Sequence, residues 1–274
     1  MRISCSVVSF NNDTAQIARV LGSVAASEGA ADIAMYLMDN SPSDQLASTA
    51  RDFGAAYMHL PKNLGFGSAH NVAIRASLAQ GCAYHLVLNP DIHFDGGVIQ
   101  SLVEYMDQHP DIGMIMPGIR YPDGQTQHLC KLLPHPMDLF MRRFCPALYR
   151  RSGRLSRYEM HDTGYDKIMD VPALSGCFML LRTAVLRQAG MFDEGYFMYL
   201  EDVDLSRRFG RVSRTVYFPQ VFIAHEYSKS SYKETKLLLF HIRSALRYFN
   251  KWGWFLDNER DLINRAALKK INSD

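Results

Sequence analysis

The first 118 residues alternate short apolar runs with stretches in which apolar residues recur at helical spacing. The runs are ISCSVVSF (3–10), DIAMYLMD (32–39), AAYMHL (55–60), YHLVLN (84–89) and IGMIMP (112–117). Residues 14–27, 43–52, 68–80 and 97–109 between them read as helices. In the third, Ala69, Val72, Ala73, Ala76 and Ala79 form a narrow stripe that Ser68 would cap. This alternation predicts βαβ units: an α/β fold with a mostly parallel, Rossmann-like central sheet flanked by helices. Such sheets bind ligands beyond the carboxyl ends of their strands. Asp39 and Asp91 both fall at those ends.

Beyond Pro117 the alternation stops. IRYPDGQTQHLC (119–130) reads as a hairpin around Pro122-Asp123-Gly124. The segment 137–157 is basic and aromatic without a clear period. A strand at 177–182, a short helix to Gly190, an acidic helix start at 201–210 and two strands around 215–225 follow. From Tyr232 the tail reads as amphipathic helix, with Leu238, Ile242, Leu246 and Phe249 on one stripe and Trp252 and Trp254 at its end. Three parts are expected: 1–118, 119–231 and 232–274.

Composition narrows the class. Hydrophobic residues make up 47% and charged residues 21% of the 274, as in a globular protein. A net charge of +2 does not call for nucleic acid, although Arg142, Arg143, Arg150, Arg151, Arg154 and Arg157 crowd together. The five cysteines include no CxxC pair, which argues against a zinc site and a disulfide framework. The apolar start is cut short by Asn11 and Asn12, and no run approaches the ~18 apolar residues of a spanning helix. A cytoplasmic protein is expected, with its oligomeric state open.

A dinucleotide-binding dehydrogenase would need a glycine-rich loop after the first strand, where this chain has SFNND; GFGSAH (65–70) follows the third strand instead. The stronger chemical signal is MYLEDVDLSRRF (198–209). Glu201, Asp202 and Asp204 either complement a helix N-terminus or form a site, with Tyr196, Phe197 and Tyr199 as rings able to hold a sugar. Asp204 is the best candidate for the capping role.

VVSFNN, MDNSPSD, NLGFGSAHN, LVLNPDI, SGCFMLLRTAVLRQAGMFDEGYFMYLEDVDLSRR and FIAHEYSKSS occur in one order along nearly the whole chain. In this the chain resembles family 2 of the inverting, nucleotide-sugar-dependent glycosyltransferases, which have the GT-A fold, and most closely the bacterial rhamnosyltransferase-like members. The resemblance implies a nucleotide site at Ser9, Asn11, Asp39, Asn63, Gly65, Gly67, Asn89 and Asp91. It implies a catalytic base at Asp202 beside Glu201. A sugar and acceptor pocket would lie at Ser175, Gly176, Tyr199 and Glu201.

It also implies a divalent cation, Mn2+ or Mg2+, held by Asp91 and His225, although Asn89-Pro90-Asp91 keeps only the last acid of the family's metal motif. The implied donor is dTDP-L-rhamnose, with a UDP-hexose as the alternative and a binding protein without catalysis as the rival class. The implied acceptor is a glycan or lipid-linked glycan at the inner face of the cytoplasmic membrane. There the arginine cluster would meet a lipid diphosphate, and the C-terminal helices would either lie on the bilayer or pack on the domain.

Overall fold

The computed structural model describes residues 2–27, 32–226 and 235–271. The strands are β1 (Arg2–Ser9), β2 (Asp32–Asp39), β3 (Ala56–His59), β4 (Tyr84–Leu88), β5 (Ile92–His93), β6 (Ile112–Arg120), β7 (Met169–Asp170), β8 (Phe178–Arg182) and β9 (Arg214–His225). The helices are α1 (Thr14–Ala25), α2 (Ala47–Asp52), α3 (Phe66–Ala79), α4 (Val98–Gln108), α5 (Pro136–Phe144), α6 (Pro146–Arg151), α7 (Arg154–Tyr158), α8 (Thr183–Ala189), α9 (Glu201–Phe209), α10 (Thr235–Trp252) and α11 (Asn258–Ile271).

All strands join one sheet in the order β3-β2-β1-β4-β8-β6-β9-β5, with β7 also on β9. β1, β2, β3, β4, β6 and β9 run one way, and β5, β7 and β8 the other. The sheet is therefore mostly parallel, as expected. Every residue of β4 is buried, which is why YHLVL reads as continuous rather than alternating. The register pairs Ser9 with Asp39 and Asp39 with His59, so the parallel strands end together on one rim.

Several boundaries differ from the sequence reading. β9 is one strand, not two: Pro117 pairs with Phe218 but Gly118 with Phe222, so the intervening residues bulge at Pro219, which has no N–H to give the ladder. The Phe222 ring occupies the space of a Gly118 side chain. The expected hairpin at 119–130 is a tight turn, Tyr121 N–H to Gln125 oxygen at 2.8 Å, with a single bridge from Arg120 to Thr126. Residues 137–157 form the three short helices α5, α6 and α7. The boundary drawn at 118 falls inside β6, and the one at 231 lies outside the described residues.

α3 starts at Phe66, before Ser68, because the Phe197 carbonyl accepts the Phe66 N–H at 3.0 Å. Ser68 is therefore not its cap. Gly65, at φ +82°, leaves no room for a side chain against that same carbonyl.

The tail helices pack against α9 and its neighbours. Tyr248 and Phe249 of α10 pack with Leu133, Leu139, Tyr196, Leu200 and Val203 in a core of their own. Arg207 of α9, 1% exposed, is gripped by Asp257 through two hydrogen bonds of 2.7 and 2.8 Å, and Glu259 adds another at 2.7 Å. Trp252 lies under the guanidinium groups of Arg207 and Arg211 and donates its indole N–H to Asp204 at 2.8 Å. Asp204 also takes Arg208 and Lys251, so it anchors the tail rather than capping α9.

Candidate active site

Asn89, Asp91, Ser175, Gly176, Tyr199, Glu201, Asp202 and His225 line one cavity of about 590 Å³. A smaller cavity of about 200 Å³ adjoins it and shares Lys131, Arg142, Tyr199, Glu201 and Asp202. The two acids of α9 thus stand where the cavities meet.

The backbone there is strained. Tyr199 and Leu200 have φ of +72° and +66°, a conformation that side-chain-bearing residues seldom adopt. This double turn delivers Glu201 and Asp202 from the first turn of α9. Asp202 is oriented by two backbone donors, Val203 N–H at 2.8 Å and Gly176 N–H at 3.2 Å. Gly176 also relieves crowding, since a side chain there would press on the Phe66 ring at 3.2 Å. Ser175 accepts from Cys177 N–H at 3.4 Å beside the same cavity. Glu201 is buried, and its Oε2 has no hydrogen-bond partner. Burial, and then the charge of Asp202, push its pKa well above the ordinary glutamate range.

In the same cavity, Asp91 and His225 come together from the loop after β4 and the end of β9. Gln127 donates from Nε2 to the His225 carbonyl at 2.7 Å, which leaves its Oε1 to accept the ring Nδ1–H at 2.8 Å. Nε2 is then the ring atom that faces Asp91 Oδ1, at 3.3 Å. That carboxylate oxygen is buried and accepts no hydrogen bond. A lone pair against a carboxylate oxygen needs positive charge between them, either a proton or a cation. Imidazole nitrogen with carboxylate oxygen suits Mn2+ better than Mg2+. Among the described residues no group of three or more His, Cys, Asp or Glu could hold a metal. Asp91 and His225 are thus the two side chains here that would hold a divalent cation.

The other nucleotide candidates form an adjoining group along the rim. Ser9 donates to Asn12 at 3.2 Å, and Asn11, at φ +57°, gives its N–H to Ser41 at 2.9 Å. Asp39 is fully buried, with its oxygens taken by Ser41 N–H and the Tyr57 hydroxyl at 2.9 Å each; it caps the turn after β2. Asn63 accepts from Gly65 N–H at 2.9 Å. A side chain at Gly67 would meet Phe192 at 2.8 Å, so the spaces at Gly65 and Gly67 are filled from the 192–197 loop. Of the FIAHEYSKSS segment, Tyr227–Ser231 lie outside the described residues.

Sequence reasoning missed Gln127, Lys131 and His241. Lys131 stands on both cavities; burial and then Arg142 lower its pKa. His241, from α10, lines the smaller cavity and is pushed down to about 4 by burial and then by Arg142, Arg143 and Lys131. Within the arginine cluster, the placement of Arg142 and Arg143 on that cavity is the part a charge count alone could flag.

A family model described as glycosyl transferase family 2 matches residues 4–189. The rhamnosyltransferase WbbL of Escherichia coli K12 is 33% identical over 208 residues, covering 73% of each chain. An N-acetylglucosaminyl-diphospho-decaprenol L-rhamnosyltransferase of Mycobacterium tuberculosis is 29% identical over 211 residues, covering 73% of this chain and 68% of that one. Among solved structures, GalNAc-T7 with UDP, GalNAc and Mn2+ superposes with a TM-score of 0.60 at 14% identity, over 83% of this chain and 43% of that one. The chain thus spans less than half of that protein, and the likeness speaks to the GT-A fold. With the family model covering the chain from β1 through α8, this chain belongs to glycosyl transferase family 2 and is a glycosyltransferase.

Proposed function

We propose that the chain moves L-rhamnose from dTDP-L-rhamnose, with inversion, to a hydroxyl of a polyprenyl-diphosphate-linked glycan. The observation that carries this reading is the convergence, in one cavity, of Asp91 with Asp202 and His225, which lie more than a hundred residues further along the chain. The rhamnosyl group is taken from the names of the two bacterial relatives, the lipid-linked acceptor from that of the mycobacterial one, and the dTDP carrier from the family resemblance.

The donor diphosphate belongs on the Asp91–His225 side. A divalent cation bound there would neutralise the charge of the departing nucleoside diphosphate. Asp202 accepts the proton of the acceptor hydroxyl as that oxygen attacks the anomeric carbon from the opposite face, and inversion needs no covalent intermediate. Its two backbone donors hold the carboxylate in line without engaging a side chain. Glu201, which keeps its proton because of burial, donates a hydrogen bond to a sugar hydroxyl. The smaller cavity, with Arg142, Arg143 and Lys131 beside Leu139, Leu237 and Leu238, has the charge and the apolar lining for a lipid diphosphate.

A thermal-shift panel of dTDP, UDP, GDP and CDP, each with and without Mn2+, tests the donor. A ligand at 100 times its dissociation constant stabilises by about 2.7 kcal/mol. The reading expects the largest shift for dTDP with Mn2+; a larger shift for UDP, or none from any nucleotide, overturns the donor assignment. Anomeric analysis of product from dTDP-β-L-rhamnose and a polyprenyl-diphosphate-linked N-acetylglucosamine tests the transfer.

A further inference from the structure

α5 is amphipathic in an unusual sense: the side turned inward is cationic and the side turned outward is apolar. Leu139 is buried, and Arg142 and Arg143 face the smaller cavity. Met137, Phe140 and Phe144, at spacings of three and four, face out, the two phenylalanines 51% and 55% exposed with ring centroids 5.0 Å apart. Leu148 of α6 extends the exposed stripe. His135, the N-cap of α5, lies 5.8 Å by ring centroids from Phe255, in the turn between α10 and α11. Phe255 and Leu256 in that turn are themselves exposed, Leu256 at 93%. Single exposed apolar residues are ordinary, but two large stripes joined at one edge are not.

Charge identifies what covers this face. From Pro136 to Glu159 the chain carries six arginines and two acids, with Asp138 paired to Arg154, in a protein whose net charge is only +2. Arg150, Arg151 and Arg157 of this stretch are exposed. α10 also exposes an apolar stripe, Leu239, Ile242 and Leu246, but two of the cations near it, Arg247 and Lys251, pair with Asp193, which leaves the exposed Arg243 against three exposed arginines beside α5 and α6. Apolar side chains bordered by the exposed Arg150, Arg151 and Arg157 match the interface of an anionic bilayer, where rings enter the acyl boundary and guanidinium groups meet phosphates.

We propose that the α5–α6 face, together with the Phe255-Leu256 turn, docks on an anionic phospholipid surface. Trp252 takes no part, being held under Arg207 and Arg211. The docking stands apart from the transfer chemistry and can be read in protein that turns nothing over.

The test is cosedimentation of the full chain with vesicles of phosphatidylcholine alone or mixed with phosphatidylglycerol. Wild type should pellet with the mixed vesicles and not with phosphatidylcholine alone. Phe140→Ser with Phe144→Ser should weaken binding by about tenfold or more, from the apolar area lost. Arg150→Gln and Arg151→Gln should each cost roughly fivefold and flatten the lipid preference. Ile242→Ser with Leu246→Ser should bind as wild type. Circular dichroism melts establish that each variant is folded, and each change is at an exposed position. Failure of wild type to pellet, unchanged binding by the phenylalanine pair, or an equal loss from the α10 pair overturns the proposal. So does light scattering showing a dimer that the phenylalanine pair disrupts, because a second copy would then cover the face.

Discussion

Gln127→Leu should weaken the cation site without touching a ligand. Gln127 is 3% exposed and holds His225 at two points, accepting from ring Nδ1–H at 2.8 Å and donating to the backbone carbonyl at 2.7 Å. Leucine keeps the volume and removes both. The ring is then free to take the other tautomer and donate from Nε2 to Asp91 Oδ1, only 3.3 Å away, which closes the pair on itself. Groups that orient a metal-binding histidine are worth about 10–100-fold in affinity, equivalent to about 1.4–2.7 kcal/mol. Manganese binding followed by electron paramagnetic resonance in the presence of dTDP should show that loss. Nitrogen-15 spectra of the metal-free imidazole should show Nδ1 protonated in wild type and a mixture in the leucine variant. Gln127→Glu, which keeps the acceptor, should retain the wild-type tautomer. Leaving the His225 carbonyl unpaired costs about 1–3 kcal/mol of stability, so the measurements are made well below the melting temperature. If Gln127→Leu binds Mn2+ within twofold of wild type while His225→Ala does not, the orienting role is refuted. If neither variant changes Mn2+ binding, it is the pair itself that fails as a site.

Asp202→Asn should cut kcat by about 10²–10⁴-fold, as loss of a general base does, while calorimetry finds dTDP affinity within a few-fold of wild type; parallel losses in both would make Asp202 a binding residue. Glu201 fixes a pH dependence. Its folded pKa lies above the unfolded value, so the native state holds the extra proton and stability falls as pH rises above the ordinary glutamate range, by up to about 1.4 kcal/mol per pH unit for that one proton. Urea midpoints across this range should decline in wild type and less so in Glu201→Gln; identical slopes would show that the buried carboxyl is not the cause. Asp257→Ala leaves Arg207 buried without its two-point partner and should cost about 3–5 kcal/mol in urea unfolding, with a cost below about 1 kcal/mol placing the clasp outside the folded core.

The part of the fold legible in the sequence is the part that local periodicity encodes. β1 through β4 lie within a residue or two of the apolar runs; Asp39 ends β2, and Asp91 lies three residues past the end of β4. β8 shows the limit. CFMLLR reads as a buried strand, yet nothing in five apolar residues says that it enters between β4 and β6 and runs against both. Pairing direction depends on the connection through α5–α7, whose short helices have too few turns to print a period. Gln127 was illegible for a related reason: its partner lies 98 residues away, and an isolated glutamine near a turn carries no local signal. The tail was legible as amphipathic, but not which positions turn inward. Leu238 and Phe249 meet the domain while Ile242 and Leu246 remain in water, so the stripe read from sequence spans two environments.

The acids of α9 show why a single short helix can serve both chemistry and cohesion. Its first turn leaves a backbone held at two positive φ values, a conformation that persists only if something else fixes the helix. Its second turn supplies that fixture: Arg207 is locked by Asp257 and Glu259, and Arg208 reaches back to Asp204 and to the carbonyl groups of Ala189, Gly190 and Met191. With the far end immobile, Glu201 can be driven into a buried position that raises its pKa while Asp202, one residue on, is turned to the cavity edge by Gly176. Adjacent carboxyl groups on a mobile helix would share one averaged environment. Here the clasp holds them apart, Glu201 buried and Asp202 at the cavity edge, which is the division that the proposed roles of hydrogen-bond donor and base require, and the C-terminal helices are the part of the chain that fixes it.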